Sequence, residues 1–126
     1  MALSGYKVTP AVPVSDMGKA KEFYEGKLGL SGGEEISDGG HTYPAGEGTS
    51  IHIYPSADAG ESGATLAFFD VDDVPKVVDE LSSNGVTFEQ YDMEGLKTDE
   101  KGIAEFEGDK VAWFKDPDGN VLAVGD

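Results

Sequence analysis

The chain has 126 residues, nine basic and twenty-five acidic, and its formal net charge of −16 makes nucleic acid and anionic membranes poor partners. This length supports one hydrophobic core and falls short of two ordinary domains, so residues 1–126 are expected to form a single domain. The absence of cysteine excludes disulfides and thiolate chemistry, and because the sequence has no signal-like or membrane-spanning apolar run, we expect a soluble cytoplasmic protein.

The first predicted elements are a strand over 6–14 and a helix that follows it directly. Ser15 or Asp16 can cap the helix, because either side-chain oxygen can accept a hydrogen bond from an unpaired amide of the first turn. Apolar residues then recur at three-to-four spacing until Gly29, which favours the left-handed conformation at a helix end. Shorter strands are predicted over 30–37, 41–45 and 49–54.

The second half of the chain repeats this order after a small, polar linker. A strand over 65–71 leads into a helix over 74–84, in which Pro75 suits the first turn and Gly85 the C-terminal cap. Further strands are predicted over 86–91, 110–115 and 121–124, with a long polar connection over 92–109. The DPDGN run over 116–120 has the residues of a tight turn, so the last two strands are expected to form a hairpin.

The recurrence of one strand-cap-helix unit, half a chain apart, indicates two copies of one small module. Each module is predicted to contain one strand, one helix and three strands (βαβββ), with module one over about 5–55, a linker over 56–63 and module two over about 64–126. The expected fold class is α+β. Paired, partly open mixed sheets, with one helix on each, would surround a cavity formed by the faces that no helix covers.

Three segments resemble the vicinal oxygen chelate superfamily, which includes glyoxalase I, extradiol dioxygenases and bleomycin resistance proteins: PVSDMGKAKEFYEGKLGL, VDDVPKVVDELSSNGVTF and WFKDPDGNVLAV. The resemblance covers almost the whole chain. Its motifs are a helix start, a repeated core face and a hairpin, so it implies the glyoxalase/bleomycin resistance fold more strongly than any chemistry. It also implies a homodimer, since paired modules in this superfamily often associate or exchange halves.

Metal enzymes of the superfamily hold a divalent ion through four inward strand positions, two in each module. The resemblance places these positions at Thr9, His52, Leu66 and Ala123. Of these, only His52 has the side chain of a usual ligand, because leucine and alanine offer no donor atom. We therefore expect no metal and no other cofactor. The alternative is a divalent nickel, zinc, iron or manganese ion. It would require the alignment of the strands to be shifted by one residue, which would turn the opposite set of side chains inward.

The inward positions predict a largely apolar pocket for a small organic molecule. The candidate ligand-binding residues are Thr9, Ala11, Ser50, His52, Tyr54, Leu66, Phe68, Trp113, Val121 and Ala123. His52 is also the candidate catalytic residue, since an imidazole can serve as a general base near neutral pH; the alternative is that it only hydrogen-bonds a neighbour. Alternation places one of Trp113 and Phe114 in the pocket and the other in the core, without deciding which.

No set of nucleophile, base and orienting group is visible in the sequence, and no phosphate-binding glycine loop precedes either helix. The preferred hypothesis is metal-independent binding of a small organic ligand, cationic or aromatic, in the cavity between the modules. The first alternative is a metal-dependent lyase, isomerase or extradiol-type dioxygenase. The second alternative is a non-catalytic association or regulatory module. The sequence leaves open whether the protein is an enzyme.

Overall fold

The computed structural model describes residues 2–126 and contains two four-stranded sheets with a helix on each; Met1 of the predicted domain lies outside the described residues. The first half of the chain forms β1 (Ala11–Val14), α1 (Met17–Lys21), β2 (Glu34–Glu35), β3 (His41–Pro44) and β4 (Ser50–Pro55). The second half forms β5 (Thr65–Asp70), α2 (Val74–Ser83), β6 (Asp92–Met93), β7 (Leu96–Lys97), β8 (Ile103–Phe106), β9 (Asp109–Lys115) and β10 (Val121–Gly125).

The two sheets have the same strand order and the same pairing directions. Sheet 1 runs β1-β4-β3-β2 and sheet 2 runs β5-β10-β9-β8. In each sheet the first strand pairs in parallel with the last, and the remaining neighbours are antiparallel. Two βαβββ modules are therefore present, and the predicted α+β fold class is confirmed.

Helix α1 begins at a predicted cap and then changes its hydrogen-bonding pattern. Asp16 Oδ1 accepts a hydrogen bond from the Lys19 amide (3.1 Å), so Asp16 caps the helix. After Lys21 the chain forms a π-helical turn over Glu22–Lys27, which the apolar periodicity did not predict. Gly29 follows with a φ of +79°, a conformation that costs glycine little. In the described part of the chain, no helix combines the length and apolar character needed to cross a membrane.

The predicted strand over 86–91 is wrong. That segment makes a single antiparallel bridge, from Phe88 to Phe114, and the outer strand of sheet 2 is β8 instead. The reason is that two segments share the edge of β9: residues 103–106 pair with 109–112, which leaves only the far end of β9 for Phe88. The connection over 92–109 therefore supplies one strand of the sheet as well as the short β6–β7 hairpin.

Strands β1 and β2 are shorter than predicted. Strand β1 begins at Ala11, and β2 has two residues instead of the eight expected over 30–37. Gly32 and Gly33 precede β2 with φ values of +74° and +81°, which interrupt an extended strand. A Cβ at Gly33 would lie 1.8 Å from the Thr42 carbonyl oxygen, so the backbones can approach here only because residue 33 is glycine.

One hydrophobic core joins the two modules. It is built from the helix-covered faces of both sheets and the helix side chains that pack on them. Phe23 of module one packs against Phe114 of module two, with ring centroids 6.3 Å apart, and Phe114 in turn packs edge-on against Phe88 at 5.5 Å. The opposite face of each sheet, called the open face below, contributes none of the fully buried residues of this core within residues 2–126.

The predicted hairpin turn between β9 and β10 is confirmed, and it also joins the modules. The Asp116 amide donates to the Asn120 carbonyl oxygen (3.0 Å) and closes the turn. Asn120 Nδ2 then donates to the Pro13 carbonyl oxygen of β1 (2.7 Å). Ser15 donates to the Asp118 carboxylate from its amide (3.1 Å) and from its hydroxyl. Ser15, the other predicted cap, therefore bonds to module two.

Candidate functional site

The open faces carry most of the side chains that the sequence analysis assigned to a pocket. On sheet 1, Ala11 and His52 are register partners across β1 and β4. On sheet 2, Ala123 lies opposite Trp113 across β10 and β9, so Trp113 takes the open face. Phe114 is buried in the core. The sequence had left open which of these two residues faces the core, and the structure places Phe114 there.

His52 is hydrogen-bonded within the chain through both ring nitrogens. Nε2 lies 2.8 Å from Asp38 Oδ2, and Nδ1 lies 2.8 Å from the Thr42 hydroxyl oxygen. The bond from His52, with a second from the Gly40 amide, holds the pKa of Asp38 below its ordinary value, so this carboxylate is ionised and can only accept. Nε2 therefore carries a proton, and in the neutral imidazole Nδ1 is the acceptor for the Thr42 hydroxyl.

Tyr54 extends this group into a flat aromatic surface. Its ring is parallel to that of His52 within 5°, with centroids 5.9 Å apart. The side chain of His52 is 15% exposed and that of Asp38 is 46% exposed, so both reach solvent. The open face of sheet 1 thus presents stacked imidazole and phenol rings beside a carboxylate, which suits a flat ligand with positive charge.

The open face of sheet 2 is aromatic. The Tyr91 ring packs edge-on against Trp113, with centroids 5.6 Å apart. The Phe68 ring lies over Gly125, where a Cβ would come within 2.3 Å of Phe68 Cζ, and 51% of Phe68 is exposed. These rings offer stacking surface and few hydrogen-bonding groups.

The other predicted ligand-binding residues are distributed over both sheets. Val121 and Ala123 are buried in β10, and Leu66 of β5 is half-buried and contacts the core. Thr9 precedes β1, and its hydroxyl oxygen lies 3.4 Å from that of Ser50. Apart from Thr9 and Leu66, the candidate residues are therefore divided between two open faces, one on each sheet.

A cleft of about 290 Å³ lies where the two modules meet. It is lined by Val8, Pro10, the turn between β3 and β4, and part of β5. Ser50 and Phe68 of the predicted set line it, whereas His52 and Trp113 do not. This volume is at the lower limit of small-molecule pockets, and most of the candidate surface lies outside it.

The four positions that the resemblance assigns to a metal do not fit a divalent ion. Leu66 and Ala123 have no donor atom, and both nitrogens of His52 already have partners. Thr9 offers only a hydroxyl, which lies against Ser50. Within residues 2–126, no three histidine, aspartate or glutamate side chains are grouped closely enough to hold a metal ion.

Two members of the His52 group were not identified from the sequence. Asp38 lies in a glycine-rich loop, and Thr42 lies in a short strand whose pairing the sequence did not determine. The available signal was the β3–β4 hairpin, because pairing these strands puts Thr42 directly opposite His52. Thr42, His52 and Asp38 therefore form a hydrogen-bonded series of hydroxyl, imidazole and carboxylate that no sequence motif indicated.

The sequence matches the family model of the glyoxalase/bleomycin resistance protein/dioxygenase superfamily over residues 8–124. No curated protein matches it. Among solved structures, the chain is similar to TnmS3, an antibiotic binding protein from Streptomyces sp. CB03234, with 27% identity, 98% of this chain and 96% of that chain covered, and a TM-score of 0.72. It is also similar to a glyoxalase/bleomycin resistance protein from the same Streptomyces, with 25% identity, coverage of 96% and 100%, and a TM-score of 0.71.

A superfamily member from Sphaerobacter thermophilus DSM 20745 shares the fold, with 23% identity, 95% of each chain covered and a TM-score of 0.69. The matched residues take in both modules and the hairpin between β9 and β10. The resemblance carried by the three sequence segments is therefore confirmed. This chain belongs to the glyoxalase/bleomycin resistance protein/dioxygenase superfamily.

Proposed function

We propose that this protein binds a small organic molecule, aromatic or cationic, without a metal ion. The observation that carries the proposal is the similarity to TnmS3, an antibiotic binding protein, along 98% of this chain. The open faces of the two sheets are the proposed binding surface. The cytoplasmic location expected from the sequence remains part of the proposal.

The aromatic open face of sheet 2 supports this function. Trp113 and Tyr91 present two rings at an interplanar angle of 80°, and Phe68 adds a third that is half exposed. Such rings stabilise a flat aromatic ligand through stacking and burial of apolar area. An aromatic surface of this composition favours organic molecules over small ionic ones.

Charge supports a cationic ligand. The formal net charge of −16 creates a negative field that attracts cations and raises their association rate. On the open face of sheet 1, the ionised Asp38 carboxylate lies next to the His52 and Tyr54 rings. A ligand that combines a flat ring with a positive group would contact both features.

The proposal includes a homodimer in which exposed apolar side chains contact a second copy of the chain. Leu3 and Val8 are 80% and 84% exposed, and Phe68 is about half exposed, which leaves apolar surface for a partner. Light scattering at working concentration should give twice the 13.2 kDa chain mass. A monomer mass across the accessible concentration range would remove the dimer from the proposal.

Fluorescence provides a direct assay, because Trp113 is the single tryptophan of the chain and lies on the proposed surface. Bleomycin-type and other cationic aromatic antibiotics should change its emission saturably. Calorimetry on Trp113→Leu should show weaker binding, whereas Tyr6→Leu, which alters an exposed aromatic outside the strands, should bind like the parent protein. Absence of binding across the panel would contradict the proposal.

A further inference from the structure

We propose that Thr42, His52 and Asp38 form a nucleophile, a general base and an orienting carboxylate that hydrolyse small activated carboxylic esters. This activity goes beyond ligand binding and does not depend on it. The inference stands on a hydrogen-bonded chain of three side chains and on the groove beside it.

Asp38 determines the direction of donation along these hydrogen bonds. An ionised carboxylate can only accept, so His52 donates from Nε2 across 2.8 Å. A neutral imidazole then has its lone pair on Nδ1, which lies 2.8 Å from Thr42 Oγ1. The Thr42 hydroxyl therefore donates to the base, as a nucleophile must before it attacks. In a serine protease triad, Nε2 of the histidine faces the nucleophile and Nδ1 faces the carboxylate. In this protein the two ring nitrogens have the opposite partners.

The backbone around Thr42, His52 and Asp38 holds each of the three side chains in position. Thr42 and His52 are register partners in the antiparallel β3–β4 pair, so strand pairing fixes their separation. The Gly40 amide donates to Asp38 Oδ1 (2.8 Å), which orients the carboxylate. A Cβ at Gly40 would lie 2.3 Å from the Ile53 carbonyl oxygen and 2.9 Å from His52 Cε1, so the loop is packed closely against β4.

Thr42 is accessible from outside. It lines an open groove of about 490 Å³ on sheet 1, together with Ile36, Pro44 and Ser50. This volume accommodates a small acyl ester. Lys7 and Glu34 also line the groove, so its wall carries charges of both signs.

The chemistry balances without any further reactant except water. Thr42 Oγ1 forms a bond to the ester carbonyl carbon as its proton passes to His52 Nδ1. The bond from that carbon to the alkoxy or aryloxy oxygen then breaks, and the leaving group takes the proton from His52. In the second half, water attacks the acyl-threonine, His52 accepts its proton, and the proton returns to Thr42 Oγ1 as the carboxylic acid leaves.

The simplest competing role for these bonds is structural, since they also tie the glycine-rich loop around Asp38 to β4. Both roles require the same distances. They differ in one observable, because only the catalytic role places an acyl group on Thr42.

The test uses the whole chain and p-nitrophenyl acetate. Rapid mixing followed by intact-mass analysis should show one added acetyl group, and peptide mapping should locate it on Thr42. Thr42→Val should lose the adduct and about 100-fold or more of the p-nitrophenol release. Thr87→Val removes an exposed hydroxyl that lies outside the groove and should retain both. Acetylation confined to lysines, or equal release by Thr42→Val and the parent protein, would overturn the proposal.

Asp38→Asn provides a second test that does not rely on a core substitution, since Asp38 is nearly half exposed. The amide can still meet His52, but it no longer fixes the proton on Nε2, so acylation of Thr42 should slow by about 100-fold. Circular dichroism should show an unchanged fold. An acylation rate equal to that of the parent protein would rule out the proposed base. Antibiotic titration of the same variants separates this result from the binding proposal.

Discussion

The Tyr24 hydroxyl donates to Asp116 Oδ2 across 2.8 Å, and this bond connects the helix of module one to the last turn of module two. Both residues are buried. Asp116 also accepts from the Asn120 side chain (2.8 Å), so a carboxylate removed from water has several donors around it. The two modules are therefore joined by a polar network as well as by the shared apolar core.

Tyr24→Phe should destabilise the fold by about 1–3 kcal/mol, because it removes a hydrogen bond to a buried carboxylate and keeps the ring. Chemical denaturation of the parent and the variant measures this difference. Tyr6→Phe, at an exposed tyrosine, should change the free energy of unfolding by less than about 0.5 kcal/mol. Equal effects of the two substitutions would mean that the Tyr24–Asp116 bond does not stabilise the contact between modules.

Stability should fall as the pH rises above about 10. Burial, with the negative charge of Asp116 beside it, raises the pKa of Tyr24, and burial with a bond to Glu25 raises the pKa of Tyr43. The unfolded chain therefore loses these protons at a lower pH than the folded chain, which favours unfolding. Denaturation midpoints measured on both sides of pH 10 should show the decline, and it should be shallower in Tyr24→Phe. A midpoint independent of pH would contradict the buried state of both hydroxyls.

The hydrogen bond to Asp38 should make the stability of the fold decrease as the pH falls, in contrast to the decrease expected at high pH from the tyrosines. Its pKa is lower in the folded chain than in the unfolded chain because His52 donates to it. Its contribution to stability is present above an ordinary aspartate pKa of about 4 and is lost as the pH falls through the lowered value. Unfolding of Asp38→Asn over this range should lack that part of the acid dependence, while Asp72→Asn should retain it. Identical acid profiles for Asp38→Asn and the parent would show that the bond is absent in solution.

Gly125→Ala should destabilise the protein by about 1–3 kcal/mol, because the new methyl group would meet the Phe68 ring. Removing the ring removes the conflict, so the same substitution in a Phe68→Ala background should cost clearly less. A double-mutant cycle on thermal or chemical denaturation gives the coupling energy. No coupling between the two positions would mean that Phe68 does not lie over Gly125.

The parts of the fold that could be predicted are those encoded locally. Asp16, Gly29 and the 116–120 turn are specified by the backbone preferences of a few neighbouring residues, and the structure places a helix start, a helix end and a hairpin there. The two modules followed from the repetition of these signals.

The parts that could not be predicted depend on competition or pairing between distant segments. Residues 86–91 have the alternation of a strand, yet β8 takes most of the available edge of β9. The Thr42–His52 bond needs the β3–β4 register, and the Asp38 bond needs a loop conformation set by Gly40. None of these relationships is visible in a window of a few residues.

The central claim is that this superfamily member binds its ligand without a metal, and calorimetric titration with a cationic aromatic antibiotic tests it most directly. The protein is purified without chelator, analysed for bound elements, and titrated before and after dialysis against a strong chelator. We predict saturable binding with the same affinity in both titrations and no stoichiometric metal. Binding that disappears with the chelator and returns with nickel, zinc, iron or manganese would contradict the account.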